Sequence, residues 1–209
     1  MIIQKAQGAI NGYVLPIKSL AYWEPIIEEW VLMIDRYCRI WKDDAPYWYT
    51  ERANIGLLAG ACWRAGFLSL EEFQWKKGYV NKPKYIGRAD LWIGNESRDV
   101  IVEAKMKRLS LSSNGPSKTI GPVLKAAYDA AKSSKGNQNM DAFGMVFISA
   151  YAIEAKKDNI DDLIKKMAKQ LGEDFKDCMI FWHFPSETRT VLHNDKKIYP
   201  GLFSVARKV

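Results

Sequence analysis

The sequence has few of the residues that build disulfide frameworks and zinc centres. It contains only three cysteines and two histidines among 209 residues. Cys38, Cys62 and Cys178 are widely spaced and flanked by apolar residues, so we interpret them as small buried hydrophobic side chains. His183 and His193 lack a companion cluster at metal-ligand spacing, which is more typical of structural or surface histidines. These shortages argue against a zinc site or a secreted disulfide scaffold and favour a reducing cytoplasm.

Long apolar runs and phosphate-binding glycine loops are also missing. No stretch approaches the roughly 18 consecutive apolar residues that a membrane span needs, and the N-terminal segment MIIQKAQGAINGYVLP does not have the pattern of a signal peptide. The sequence contains no Gly-x-x-x-x-Gly-Lys-Ser/Thr loop, no Gly-x-Ser-x-Gly elbow and no Gly-x-Gly-x-x-Gly fingerprint. We therefore expect a cytoplasmic protein without a membrane partner, and we exclude nucleotide hydrolysis by a P-loop.

The bulk composition is that of a folded, basic protein. With 48% hydrophobic and 26% charged residues, the chain is far from the polar bias of a disordered protein, and its length favours a single domain over residues 1–209. The formal net charge of +7 attracts polyanions, of which nucleic acid is the commonest. The lysines between residues 156 and 169 alone indicate only an exposed helical face.

Two helices are predicted in the first third of the chain. Apolar residues recur every three or four positions over Trp23–Trp41, which indicates an amphipathic helix within an N-terminal addition at about residues 20–45. Thr50 can cap a second helix from about Glu51 to Ala65. Its apolar surface and the spacing of Gly56 and Gly60 predict a buried helix with a closely packed neighbour.

Strand patterns follow the second helix. The runs EEFQWKKG, KYIGRADLWIG and RDVIVEAKM predict three antiparallel strands. Residues 109–122 have the composition of a loop, with Pro122 as the first residue of a helix reaching about Lys132. Next come a fourth strand, AFGMVFISAYAI, a helix, DNIDDLIKKMAKQLG, that ends before Gly172, and a fifth strand, CMIFWHF. After this strand the sequence indicates a polar turn, and the pattern of the C-terminal segment specifies neither a helix nor a strand.

Charged residues inside two of these strands require an explanation. Asp90 interrupts one apolar run, and Glu103 with Lys105 interrupts the next. If residues 95–98 form the hairpin turn with Gly94 opposite Asp99, equal counting places Asp90 opposite Glu103. The two-residue period of a strand puts Lys105 on the same face. Two carboxylates and one ammonium group are therefore predicted to converge.

This arrangement favours a metal site. Two adjacent carboxylates repel each other, whereas a divalent cation between them is coordinated, and oxygen ligands from one or two carboxylates are what Mg²⁺ prefers. A cation held in this way supports phosphodiester hydrolysis, with Lys105 orienting or deprotonating the attacking water. The alternative is an ion pair of Lys105 with Glu103 or Asp90 on an exposed sheet face.

The segments GRADLWI and DVIVEAK resemble the two halves of the active-site motif in the PD-(D/E)xK, or restriction-endonuclease-like, nuclease superfamily. The resemblance implies an α/β fold whose αβββαβ core, a mixed central sheet flanked by helices, covers about residues 51–152, with a helix added before it and a helix and strand after it. Asp90 and Glu103 would bind the metal ion, and Lys105 would be the catalytic lysine. Glu51 matches the glutamate that many members contribute from the preceding helix. Its alternative role is structural, because a carboxylate at the start of a helix interacts favourably with the helix dipole. Ala89 stands where some members have proline.

The resemblance also implies an activity and its partners. We expect a Mg²⁺-dependent endonuclease acting on DNA, with Mn²⁺ as a substitute and a homodimer as a possible assembly. The rivals are an inactive nuclease-fold protein that binds nucleic acid and an RNA-cleaving relative. Bases could stack on Trp48, Tyr49, Trp75 and Trp92, although aromatic residues are more often part of a core. The candidate phosphate-binding residues are Arg88, Lys107, Arg108, Lys118, Lys125 and Lys132.

Overall fold

The computed structural model describes residues 8–79, 81–136 and 138–209. The strands are β1 (Ile10–Val14), β2 (Leu68–Lys77), β3 (Tyr85–Asn95), β4 (Arg98–Ser110), β5 (Asp141–Ile153), β6 (Met179–Phe184) and β7 (Lys197–Lys208). The helices are α1 (Trp23–Ile40), α2 (Glu51–Arg64), α3 (Pro116–Lys135) and α4 (Ile160–Asp174), with short 3₁₀ turns at Lys18–Leu20, Pro46–Trp48 and Glu154–Asn159. Residues 1–7, where the expected domain 1–209 begins, lie outside the described residues.

All seven strands belong to one mixed sheet in the order β1-β6-β7-β5-β4-β3-β2. Strands β2, β3 and β4 are antiparallel neighbours, as predicted, and β4 pairs with β5 in parallel. Helices cover both faces: α1 and α2 pack on one hydrophobic core, and α3 and α4 pack on another. The predicted α/β class with a mixed sheet flanked by helices is confirmed.

The first two helices form where the apolar spacing predicts them. The stripe of α1 is buried, and the Thr50 hydroxyl caps α2 by accepting a hydrogen bond from the Ala53 amide. A Cβ atom at Gly60 would lie 2.7 Å from Cε of Met33 in α1. The helices therefore approach each other at the predicted glycine, and α2 lies directly before the strands that carry the charged residues.

Two helix boundaries differ from the prediction. Helix α3 begins at Pro116, so Pro122 lies inside it, and Lys118 belongs to its first turn rather than to a loop. An internal proline removes one backbone hydrogen bond from the helix. Burial of Ile120 and Leu124 in the core offsets this loss and stabilises the early start of α3. Gly172 lies inside α4, which continues to Asp174.

The strands at the two ends of the chain were not predicted. Strand β1 pairs with β6, and β7 is inserted between β6 and β5. The Pro200-Gly201 pair conceals β7 in the sequence because both residues are unusual in a central strand. In the structure the proline lies beside a register shift between Ala150 and Ala152, and a Cβ at Gly201 would lie 2.4 Å from the carbonyl oxygen of His183.

The expectations for the cysteines and for the exposed lysines are confirmed. The three cysteines are free and buried. Within the described ranges, no helix is both long and apolar enough to cross a membrane. The lysines at positions 156, 157, 165, 166 and 169 are exposed, although the first two lie in a 3₁₀ turn before α4.

Candidate active site

Asp90 lies where the pairing between β3 and β4 ends. The hairpin register has Gly94 opposite Asp99, as predicted, and the pairing extends to Leu91 opposite Val102. One residue further, the Asp90 side chain takes the place of a backbone partner, since its Oδ2 accepts a hydrogen bond of 2.7 Å from the amide of Ala104. The carboxylate is thus held against β4 at the position of Glu103.

Glu103 is buried and held from two other elements. Its Oε1 accepts a hydrogen bond of 2.7 Å from Lys77 Nζ at the end of β2 and one of 2.5 Å from Ser134 Oγ in α3. Burial raises the pKa of Glu103, and the nearby charge of Asp90 raises it further, whereas the bonds from Lys77 and Ser134 lower it. The net shift is upward, so the carboxylate lies in a site that penalises its negative charge.

Lys105 contacts the start of α2. Its Nζ donates to the carbonyl oxygen of Ala104 at 2.5 Å and lies 3.4 Å from Oε1 of Glu51. Burial raises the pKa of Glu51; the charge of Lys105 opposes this shift and that of Asp90 adds to it. The structure therefore brings Glu51, Asp90 and Lys105 to one location.

The ion pair considered as an alternative, with Lys105 bonded to Glu103 or Asp90 on an exposed sheet face, is not found among the described residues. Glu103 is buried and pairs with Lys77, and Lys105 pairs with Glu51. Lys77 and Ser134 were missed because nothing local to them in the sequence suggests contact with Glu103, from which they lie 26 and 31 residues away.

The capacity of this site for a metal ion can be judged from its donor atoms. In the part of the chain that the structure describes, no three His, Cys, Asp or Glu side chains form a group that could hold an ion. Asp90 and Glu103 remain as a pair, and Mg²⁺ typically uses one or two protein carboxylates and retains several waters. The two hydrogen bonds to Glu103 involve only Oε1. The donor set thus fits a hard cation bound through Asp90 and Glu103, while Glu51 is held by Lys105.

Two of the predicted phosphate-binding residues have acidic partners. Arg88 makes an ion pair with Glu72, and Lys125 pairs with Asp129 at 2.5 Å. Lys107 and Lys118 are exposed. Arg108 donates a hydrogen bond of 3.4 Å to the carbonyl oxygen of Trp48.

A basic cavity lies beside the Lys77–Glu103–Ser134 contact. Its volume is about 580 Å³, and its lining residues are Tyr79, Lys82, Lys132, Lys135, Gly136 and Val209. The amide of Gly78 donates to the carbonyl oxygen of Ser133 at 2.9 Å, which joins the end of β2 to α3 next to this cavity. Lys132 was a candidate from the sequence; Lys135, three residues after it on α3, was not singled out, and Lys82 was missed because it comes from a separate segment.

The candidate stacking residues are fixed by hydrogen bonds. The indole nitrogens of Trp75 and Trp92 donate to the Ser134 carbonyl oxygen and to Asp99, and the Tyr49 hydroxyl donates to Asp44. Trp48 donates to the carbonyl oxygen of Tyr199 at 2.8 Å. Trp75 in particular supports the segment of α3 that holds Glu103.

The histidines have structural partners. His183 is fully buried, with its Nε2 2.7 Å from Oδ1 of Asp35. His193 packs edge-on against Trp48 and Tyr199. None of these contacts of His183 and His193 involves Asp90 or Glu103.

Comparison of the chain with protein-family models, curated proteins and solved structures gives no match. The geometry around Asp90, Glu103 and Lys105 is therefore the basis for a functional proposal.

Proposed function

We propose that this protein is a metal-dependent nuclease of the PD-(D/E)xK, restriction-endonuclease-like type that hydrolyses phosphodiester bonds in DNA. The supporting observation is the convergence of Asp90 at the end of the β3–β4 pairing with Glu103 and Lys105 on β4, next to Glu51 at the start of α2. The chain order α2-β2-β3-β4-α3-β5 agrees with the αβββαβ core of that superfamily.

The chemistry follows from the types of side chain. A bound Mg²⁺ or Mn²⁺ supplies charge stabilisation at the phosphate and lowers the pKa of the attacking water. Asp90 and Glu103 would hold that cation, and the burial of Glu103 and the repulsion between the two carboxylates favour its uptake. The Lys105 ammonium group is partly exposed and fixed by Ala104 and Glu51, so it can orient the water and offset phosphate charge.

The lysine cavity supports a polyanionic substrate. Lys82, Lys132 and Lys135 bring three positive charges to one concave surface, adjacent to the elements that hold Glu103. Phosphate contacts of this kind position a nucleic-acid strand without reading its sequence. The net charge of +7 acts in the same direction.

The test is a cleavage assay with Mg²⁺, Mn²⁺ or EDTA on supercoiled plasmid, linear duplex, single-stranded DNA and RNA. We expect metal-dependent cutting of DNA that falls at least about a hundredfold in Glu103→Gln and Lys105→Met. Glu173→Gln and Lys165→Met, which remove the same charges from the exposed face of α4, serve as matched controls. A folded wild type that cuts none of these substrates would overturn the proposal, and selective cutting of RNA would replace DNA as the substrate.

A second candidate is a nucleic-acid-binding protein with this fold and no turnover. The contact of Lys77 with Glu103 favours it, because the ammonium group compensates the carboxylate without a metal ion. Such a protein should bind labelled DNA equally well in Mg²⁺ and in EDTA, and calorimetric titration should detect no Mg²⁺ uptake. The nuclease should instead bind Mg²⁺ and lose that binding in Glu103→Gln.

A further inference from the structure

A second cavity lies beyond Lys105 along β4. Its volume is about 280 Å³, and it is lined by Trp48, Arg108, His193, Asn194, Asp195 and Tyr199. Pockets for drug-sized ligands span roughly 300–1,000 Å³, so this volume suits a single ring system. Aromatic faces and hydrogen-bonding groups are combined in its wall.

The aromatic wall is held in place before any ligand binds. The His193 ring stands edge-on to Trp48 and Tyr199, with centroid distances of 4.3 and 5.1 Å. The Trp48 indole nitrogen donates to the Tyr199 carbonyl oxygen, and the guanidinium group of Arg108 lies 5.3 Å from the Tyr199 ring centroid. The turn that carries His193 is closed by backbone hydrogen bonds of 2.9 Å with Lys196 and Lys197. A preformed wall of this kind loses little entropy on binding.

The polar groups of the cavity have capacity for a ligand. His193 Nε2 is buried and has no hydrogen-bond partner among the described residues, although such nitrogens are normally paired. Asp195 accepts from the Tyr199 hydroxyl at 2.9 Å and from Lys197 Nζ at 3.0 Å, which fixes one edge of the cavity. The exposed Asn194 adds an amide donor and acceptor at the mouth.

Two elements connect the cavity to the candidate active site. Arg108 follows Lys105 by three residues on β4, about 10 Å along the strand, and by the two-residue period it lies on the opposite face, where it contacts Trp48. Trp48 precedes Glu51, the partner of Lys105, by three residues. The Lys105 ammonium group reaches Glu51 at the start of α2, so a strand with a phosphate at Lys105 that continues past α2 towards Trp48 would meet the cavity within one or two nucleotides.

We propose that this cavity binds one unpaired nucleobase of the strand whose phosphate lies at Lys105. The inference rests on the proposed function for the position of the strand. The base would contact the aromatic wall through its ring and pair His193 Nε2 through its edge, while Arg108 faces the adjoining phosphate. Contacts between bases and aromatic side chains tolerate different sequences, so the cavity would select an unpaired base rather than a particular one.

The first experiment separates a base from a phosphate. The probes are adenosine and cytidine 5′-monophosphates with ribose 5-phosphate as the base-free control, titrated in EDTA while the indole N–H signals are followed by NMR. We expect the mononucleotides to shift the Trp48 signal and ribose 5-phosphate to leave it unmoved. Equal shifts by all three would show a phosphate site and overturn the proposal.

The second experiment uses oligonucleotides and a variant of the cavity. Labelled single strands, each with one base removed at a different position, are bound in EDTA to the wild type and to His193→Leu. We expect one abasic position to weaken wild-type binding about tenfold and to have no effect in His193→Leu. Arg207→Ala, which removes an exposed guanidinium from the far end of β7, is the charge-matched control for a parallel Arg108→Ala.

The two proposals can fail separately. Cleavage that requires Glu103 and Lys105, without a costly abasic position or a mononucleotide shift, would remove the base site and leave the nuclease. A costly abasic position that depends on His193, without cleavage of any substrate, would leave the base site in a protein that only binds nucleic acid.

Discussion

Lys77 Nζ lies 2.7 Å from Glu103 Oε1, and the side chains are only 10% and 5% exposed. A buried lysine paired with a buried glutamate is stable only as a pair, because each charge alone bears a large desolvation penalty. The pair joins the end of β2 to the middle of β4, and Ser134 of α3 binds the same oxygen. Three elements are thus held together at the carboxylate that we expect to bind the metal ion.

Lys77→Met should destabilise the metal-free protein by about 3–5 kcal/mol, because it leaves Glu103 buried without its partner. Urea unfolding provides the measurement. Lys77→Met/Glu103→Gln should recover much of the loss, and Lys165→Met, whose ion pair is exposed, should change stability by less than about 1 kcal/mol. An unchanged urea midpoint for Lys77→Met would contradict the buried pair.

The same variant tests whether a cation can replace the ammonium group. With Lys77 absent, Mg²⁺ should raise the unfolding temperature of Lys77→Met more than that of the wild type, because binding to the folded state alone adds stability. The double variant Lys77→Met/Glu103→Gln should show no such rise. Equal Mg²⁺ effects in both variants would argue against Glu103 as a ligand.

Gly144 should not tolerate a side chain. It pairs with Glu103 across β4 and β5, and a Cβ there would lie 2.2 Å from the backbone nitrogen of Tyr128 in α3. Gly144→Ala should therefore displace α3 and cost about 1–3 kcal/mol or more in urea unfolding. Because α3 carries Ser134, cleavage should fall as well.

Gly172→Ala is the matched control for that change. Gly172 lies inside α4 with nothing within 4 Å of its added Cβ, so alanine should stabilise the helix by about 0.5–1 kcal/mol. If both alanine variants unfold at the same urea concentration as the wild type, that result would contradict the close approach of α3 to β5 at Gly144.

The cysteines should be unreactive in the native protein. Burial raises the pKa of Cys38, Cys62 and Cys178 to about 12 from an ordinary value of 9.0. Between about pH 9 and 12 the unfolded state releases these thiol protons and the folded state retains them. The contribution of the buried thiols to the free energy of unfolding is therefore fully present below about pH 9 and is lost as the pH rises towards 12. At pH 8, a thiol reagent should label the wild type only as fast as it unfolds. Rapid native labelling, comparable with an added surface thiol in Ser112→Cys, would contradict this burial.

The parts of the site that could be predicted are those that depend on local chain geometry. The hairpin turn determines the register of β3 and β4, and therefore the proximity of Asp90 and Glu103. The cap at Thr50 determines where α2 begins, and so where Glu51 lies. Neither inference requires knowledge of a distant segment.

Local sequence patterns are sufficient to predict the α/β class, the antiparallel β2–β3–β4 unit and the proximity of Asp90 to Glu103, because hydrophobic period and turn chemistry act over a few residues. Long-range packing places Lys77 and Ser134 against Glu103, inserts β7 into the sheet and brings Trp48, Arg108 and His193 to one cavity. Contacts between segments far apart in the chain depend on how whole helices and strands pack. Packing of the core, rather than any local pattern, therefore selects the neighbours of each site residue.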